Sequence, residues 1–463
     1  MISQSRILPL VFASALFMEN MDSTVIATSL PAIASDLGTN PVALKLAFTT
    51  YLLSLTVFLP VSSWVADRFG AQTVFRIAVA IFTLASIACG FANSLEYLVF
   101  ARGIQGLGGA MMVPVGRIIL LRTVPKNELV DAMAWLTIPA LIGPLLGPPI
   151  GGFITTYFHW RWIFWMNLPF GILGIVMASL FMPNLRDEHI APLDVKGFVL
   201  SGLGLSLSVF GLTELGQGIF PAATIGGMIA AGAVLIGFYV YHANVVAKPI
   251  LDLKMFRVQT LFVSVFGGMF FRIAAGAVPF LLPLMLQLGF GFSPFQSGSI
   301  TCASALGAVM MKFLAGRSLK RWGYRKLLIV NGIGSCLFMA VMGLFTVATP
   351  FVVMMIILLI GGLLRSLQFT CLNSIAYADV TSQEISRANG LYTVAQQLSL
   401  ALGVAAAALT LEASQWFHGT TDLVQHDFAA AFFVVAAMSL VSTLVFTRLP
   451  QNAGANLSGH VVE

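Results

Sequence analysis

Charge is scarce in this chain. Of 463 residues, 24 are Lys or Arg and 18 are Asp or Glu, together 9%, where a soluble domain carries about 25%. A water-soluble protein of this length needs charge to solvate its surface. The composition therefore excludes a soluble enzyme, a disordered chain and a nucleic-acid binder. Cysteine is scarce too. Cys89, Cys302, Cys336 and Cys371 all sit in apolar stretches, with no CxxC pair and no His at ligand spacing, so neither a disulfide framework nor a zinc site is expected. Catalytic signatures are also missing: there is no HExxH and no Ser-His-Asp pattern. Gly106-Leu107-Gly108-Gly109 lies inside an apolar run and lacks the Lys-Ser/Thr of a phosphate loop. Neither an enzyme nor an ATP-driven machine is expected. The six histidines fall at segment ends, in loops or in the tail.

What the chain has instead is apolar length. Hydrophobic residues make up 58%, and the mean hydropathy is +0.93. About 20 apolar residues cross a bilayer as a helix, and a window of that length finds about fourteen such segments, the first near 7–30 and the last near 428–447. The first lacks a basic leader with a small-residue cleavage site and contains Glu19 and Asp22. A retained spanning helix is expected there rather than a signal peptide. Loops are short, and no stretch is long enough for a soluble domain. The fold class is thus all-α and polytopic.

Lys and Arg fall mostly in one set of alternate loops; only Lys45 and Arg161 lie in the other. This bias predicts both termini in the cytoplasm and an inner-membrane location. Arg102, Arg117, Arg272, Lys312 and Arg365 fall within segments. Trp160, Trp162 and Trp165 are expected in an interfacial aromatic belt.

Two internal echoes suggest duplication. Arg68 and Gly70 match Arg321 and Gly323, and Arg102-Gly103-Ile104-Gln105 matches Arg365-Ser366-Leu367-Gln368. Both matches fall in corresponding positions of two expected halves, a construction found in many secondary transporters. The expected organisation is a six-helix bundle over 1–185, two inserted helices with linkers over 186–257, a second six-helix bundle over 258–448, and a cytoplasmic tail over 449–463.

At these residues the chain resembles the major facilitator superfamily, and within it the 14-helix drug:proton antiporter branch of EmrB/QacA type. Ser63–Gln72 is similar to the loop motif G-x-L-A-D-R-x-G-R-K, keeping Asp67, Arg68 and Gly70 but carrying Ser63, Ala71 and Gln72 where the motif has Gly and a basic pair. Leu98–Ala110 resembles the R-x-x-Q-G-x-G-A motif of the fourth helix. Gly143, Pro144, Gly147, Pro148, Gly151 and Gly152 are similar to the fifth-helix antiporter motif. Asp22–Pro31 and Trp160–Pro169 resemble the branch's first-helix and outer-loop signatures. The resemblance implies a proton-driven antiporter that exports amphiphilic, drug-like molecules by alternating access. The energy source is the proton gradient, without a cofactor, and a monomer is expected. The alternative is a proton-coupled transporter of one specific metabolite, an anionic one among the candidates.

Charges near a segment centre cost about 2.5–3.5 kcal/mol each, and five stand there: Glu19, Asp22, Arg102, Arg272 and Arg365. Glu19 and Asp22 are three apart and share a helix face. Two carboxylates so close in a low dielectric repel, so at least one is expected to take up a proton. With the family's pattern, this makes Asp22 the expected proton carrier and Arg102 its electrostatic partner; the competing reading is a static pair that only joins helices. Glu19 is either a second proton site or a substrate contact. Arg272 and Arg365, with Gln105 and Gln368, are expected on the substrate cavity, whose excess of arginine would favour anionic or zwitterionic amphiphiles. Asp67, Arg68 and Gly70 are expected to form a cytoplasmic gate, and the Gly143–Gly152 set to act as a hinge or as plain close packing.

Overall fold

The computed structural model describes residues 4–123, 129–186, 192–215, 220–381, 384–419 and 422–458; the side chains of 4–7, 117–118, 121–122, 129–141 and 386 lie outside the description. Arg6, Arg117, Arg122 and Lys126 are therefore outside it as well. All regular structure among the described residues is helical. The helices are α1 (Gln4–Asp36), α2 (Lys45–Phe58), α3 (Ser62–Phe69), α4 (Ala71–Gly90), α5 (Leu95–Thr123), α6 (Leu129–Tyr157), α7 (Trp162–Trp165), α8 (Asn167–Phe181), α9 (Val195–Glu214), α10 (Ala222–Val245), α11 (Gln259–Leu284), α12 (Pro294–Trp322), α13 (Tyr324–Gly343), α14 (Phe351–Ile375), α15 (Ile385–His418), α16 (Gln425–Phe446) and α17 (Ala455–Ser458).

Thirteen apolar stretches built from these helices are long enough to cross a membrane, and α6, with 29 residues, adds another. The protein is a multi-pass membrane protein. Among the described residues these passes alternate, so the start of α1 and the end of α16 lie on one face, named here the terminal face; the opposite one is the far face.

Local chemistry sets the helix ends. Ser293 caps α12 in a reciprocal box with Gln296, with Pro294 at the first helical position. Gly70 joins α3 to α4 at φ 93°, and Gly323 joins α12 to α13 at φ 68°, a conformation open to glycine but not to side-chain-bearing residues. The short sequence echo thus corresponds to a repeated backbone turn.

Lipid is as apolar as leucine, so helices in a membrane are held by close approach and by polar contacts rather than by hydrophobic drive. α1 packs on α6 and α8, α4 on α5 and α8, and α2 on α5. α12 packs on α14, α11 on α15 and α16, and α13 on α16. α9 and α10 pair with each other, and α9 rests mainly on α2. The first six-helix set meets the second along α6–α12, α2–α15 and α1–α11. Near the far face, Val25, Leu30, Phe48 and Leu98 belong to the same apolar core as α11–α16. Toward the terminal face, Leu8, Phe12, Phe75 and Val115 form a core of their own. The two sets are fused at the far face and part toward the terminal face.

Both bases that break the loop-charge bias have structural partners. Lys45, fully buried, pairs with Glu412 of α15 at 2.8 Å and reaches the Leu215 carbonyl at 3.4 Å. Arg161 pairs with Asp36 at 2.6 Å and donates to Ala92 O at 2.9 Å. Trp160 departs from the belt expectation: it is buried and donates to Asp36, whereas Trp162 is exposed.

Asp194 fixes the start of α9. Its Oδ1 accepts from Gly197 N at 2.9 Å and lies 2.7 Å from His242 Nε2, and its Oδ2 accepts from Ile250 N. Burial pushes this carboxyl up, but the bonds from His242, Gly197 and Ile250 outweigh it and hold the group below the usual carboxylate range. A carboxylate lowered by folding contributes stability at neutral pH, and that contribution is lost as the pH falls through its folded value. Asp194→Ala is expected to destabilise the protein by about 1 kcal/mol at neutral pH. The deficit should shrink in melts near pH 3; a deficit unchanged in acid contradicts this account.

Candidate functional site

Five helices bring polar side chains to one buried point. Asp22 of α1 is buried, with Arg102 and Gln105 of α5 and Asn167 at the start of α8 around it. Arg102 Nη1 lies 2.5 Å from Asp22 Oδ2 and 2.7 Å from Gln105 Oε1. Gln105 Nε2 and Asn167 Nδ2 each donate to Asp22 Oδ1 at 2.9 Å. Asn167 also donates to Ser86 Oγ, which in turn donates to Phe164 O. Cys89 Sγ donates to Gln105 Oε1 at 3.7 Å, and the Arg102 guanidinium stands 4.3 Å from the centre of the Tyr51 ring. One carboxylate thus accepts three bonds, and its charge is matched by one guanidinium. An isolated charge at this depth would be far costlier than this pair.

Glu19 lies one turn from Asp22 toward the terminal face, outside this network, and its Oε2 is buried with no hydrogen-bond partner. Tyr51 Oη is likewise buried and without one.

A separate cavity of about 200 Å³ lies between the two helix sets. Its wall includes Thr24 and Thr28 of α1, Pro144 and Pro148 of α6, Pro279 and Pro283 of α11, and Thr301 and Ser304 of α12. Arg365 of α14 is the one charged residue on this wall. It donates to Ser304 Oγ at 3.2 Å.

The other residues expected on the cavity are elsewhere. Gln105 is fully buried in the Asp22 network. Gln368 is fully buried between the Leu328 carbonyl and Asn331. Arg272 does not reach the wall: its side chain runs back along α11 over Gly268 to the Ser264 carbonyl and the Tyr392 hydroxyl. The cavity, as formed here, therefore carries one arginine. Glu19 does not line it either. Arg102 and Arg365 echo each other in sequence, yet one has an acid and the other faces open space: the counterpart of Asp22 at the repeat offset is Ala275.

The glycines of α6 lie at its contacts with α1 of the same set and with α12 of the other. A Cβ on Gly147 would fall 2.0 Å from Thr24 Oγ1, and one on Gly151 2.6 Å from Val25 O; Gly143 also faces α1. Gly152 faces Pro294 O of α12, and Gly298 of α12 faces Pro148 O. Pro149 cannot donate to Leu145 O, the carbonyl four residues back. Cys302 Sγ of α12 donates to it at 3.2 Å, so the neighbouring helix satisfies the group the proline leaves open. At the α3–α4 turn Asp67 is half-buried and Arg68 exposed. Gly70 lies against Asn184, and Ala71 N donates to Leu185 O, which ties this turn to the segment after α8.

Sequence comparison settles the family. The profile of the Major Facilitator Superfamily matches residues 12–404 and again 261–460. The chain belongs to the major facilitator superfamily. A protein of Escherichia coli named "Putative multidrug resistance protein MdtD" is 35% identical over 457 residues, spanning 97% of this chain and 95% of that protein. The namesake from Klebsiella pneumoniae is 34% identical over 449 residues, spanning 96% and 95%. Among solved structures, a D-xylose-proton symporter superposes with a TM-score of 0.70 at 14% identity, over 98% of this chain and 99% of that one. The nucleoside transporter NupG gives 0.62 at 13% identity, over 96% and 98%. At such identities these structures speak for the fold alone. This superfamily member is a membrane transporter, not an enzyme.

Asn167, Ser86, Cys89 and Tyr51 were not singled out from the sequence as site residues. Asn167 was visible inside the Trp160–Pro169 signature. Ser86 and Tyr51 were visible only as polar atoms in apolar helices, a signal shared with many side chains that bond their own helix.

Proposed function

We propose that this transporter is a proton-driven antiporter that exports amphiphilic small molecules, with a preference for those bearing an anionic group. The observation that carries the reading is the separation of two charges: a buried, fully bonded carboxylate at Asp22, and an arginine at position 365 on the wall of the cavity between the two sets. The relatives' multidrug resistance names support a broad substrate class.

The loop-charge bias supports a cytoplasmic terminal face and an inner-membrane location. The fused core at the far face then corresponds to a state closed to the outside. A proton arriving at Asp22 neutralises the carboxylate and displaces one of its three bonds, loosening α1 from α5 and α8. Asp22 binds this proton when the far side is open and releases it when Arg102 returns. Arg102 supplies the counter-charge in the deprotonated state. Substrate entering from the terminal side occupies the space near Arg365. Glycines of α6 let it pack closely on α1 within the first set and, through Gly152 facing Pro294 and Gly298 facing Pro148, on α12 of the second; the α6–α12 contact lies where the two sets must move past each other.

A single-metabolite transporter is the second reading, favoured by the lone arginine on a small cavity. Proteoliposomes loaded with a pH dye and challenged with cationic, neutral and anionic amphiphiles separate the two. Proton flux in response to many compounds, anionic ones most, is the expected result. Flux with a single compound selects the second reading, and no flux with any compound overturns proton antiport.

A further inference from the structure

We propose that His418, His426 and Asp427 form a binding site for a divalent transition metal, such as Zn²⁺, at the far face. α15 ends at His418, where Gly419 reverses the chain at φ 66°, and α16 begins at Gln425. The reversal brings the two imidazole rings to 4.3 Å between centroids. One ligand atom from each of the three residues falls within 4.8 Å of the others.

Asp427 is the anchor. It is fully buried, and its Oδ1 stands 3.5 Å from His426 Nε2 and 3.9 Å from His418 Nδ1. Among the described residues this carboxylate pairs with these two imidazoles and with no Lys or Arg. Neighbours hold it in place: Ser414 Oγ donates to Oδ1 at 2.5 Å, and Val424 N donates to Oδ2 at 3.0 Å. His418 Nδ1 stands 2.8 Å from the Ser414 carbonyl and donates to it, which leaves Nε2 to ligate; the 3.9 Å separation from Asp427 is that of Nδ1, so Nε2 reaches the metal by a turn of the half-exposed ring. A ligating histidine almost always has such an outer partner.

The donor set selects the ion. Two imidazoles and one carboxylate suit Zn²⁺ and its first-row neighbours, whereas Ca²⁺ and Mg²⁺ require mostly oxygen. Tetrahedral bonds of about 2.1 Å bring ligand atoms to about 3.4 Å from one another. The two imidazoles, each about half exposed, can turn to close that distance and leave a fourth position to water. Bound metal would clamp α15 to α16 on the face where Glu412 of α15 holds Lys45 of α2.

The test uses the full chain, purified in detergent with a histidine-free tag and stripped by chelator. Zn²⁺ is titrated by calorimetry, and Co²⁺ serves as a spectroscopic probe of tetrahedral ligation. One Zn²⁺ per chain is expected, with visible Co²⁺ bands and a raised thermal midpoint. His418→Ala and His426→Ala, both at half-exposed positions, should each weaken Zn²⁺ binding at least tenfold and abolish the shift in midpoint while keeping the wild-type elution volume. Asp427→Asn, which keeps the size of the side chain, should do the same. Zn²⁺ affinity unchanged in both histidine variants, or Co²⁺ without tetrahedral bands, overturns the proposal.

Discussion

Asp22→Asn is expected to abolish substrate-driven proton flux in proteoliposomes, with a loss of at least about 100-fold, while substrate binding stays within about threefold. Asparagine keeps the size of the side chain and can still accept from Gln105 and Asn167. It cannot take up and release a proton, and it leaves Arg102 buried without a counter-charge. Breaking a buried pair on one side costs about 3–5 kcal/mol, so the melting temperature should fall as well. A double variant separates the two effects. Asp22→Asn with Arg102→Gln removes the stranded charge and should recover much of the lost stability, because replacing both partners is far milder than replacing one. Flux should remain absent. Flux returning together with stability would mean that the pair is a static clamp and that the proton binds elsewhere.

Arg365→Ala carries the second large effect. A hydrogen bond to a charged group contributes about 1.5–3 kcal/mol, which is about 10- to 150-fold in affinity. The variant should lose that factor for anionic amphiphiles and little for neutral ones. Because the arginine has no acid partner on the cavity wall, its removal strands no opposite charge, and the fold should tolerate it. Arg365→Lys keeps the charge but not the planar fork and should give an intermediate loss. Equal losses for anionic and neutral compounds would show that Arg365 shapes the wall rather than selecting charge.

Much of this protein was legible in its sequence because a bilayer imposes simple rules. Apolar length marked the passes, and the rarity of mid-membrane charge marked Asp22 and Arg102, which the fold joins at 2.5 Å. The glycines of α6 announced close approach, and they sit where a Cβ would strike α1 or α12. What was not legible is the direction in which a long side chain runs. Arg272 and Arg365 look alike in sequence, but Arg272 runs back over Gly268 toward Tyr392 while Arg365 turns to Ser304 and the cavity. Gln105 and Gln368 read as cavity residues because they follow arginines at matching positions, yet each is spent on buried partners. The far-face histidines carried no signal either. Their spacing gains meaning only when Gly419 turns the chain and sets His418 beside His426.

The most direct test of the central claim is the number of protons released when substrate binds. Purified transporter in weakly buffered detergent solution is mixed with a saturating anionic amphiphile, and the pH change is recorded. When the solution starts at a pH low enough to hold Asp22 protonated, the account predicts up to about one proton released per chain on binding, with none from Asp22→Asn and an undiminished signal from Glu19→Gln. Release that persists in Asp22→Asn and disappears in Glu19→Gln would contradict it, and would move the proton site to the carboxylate one turn away.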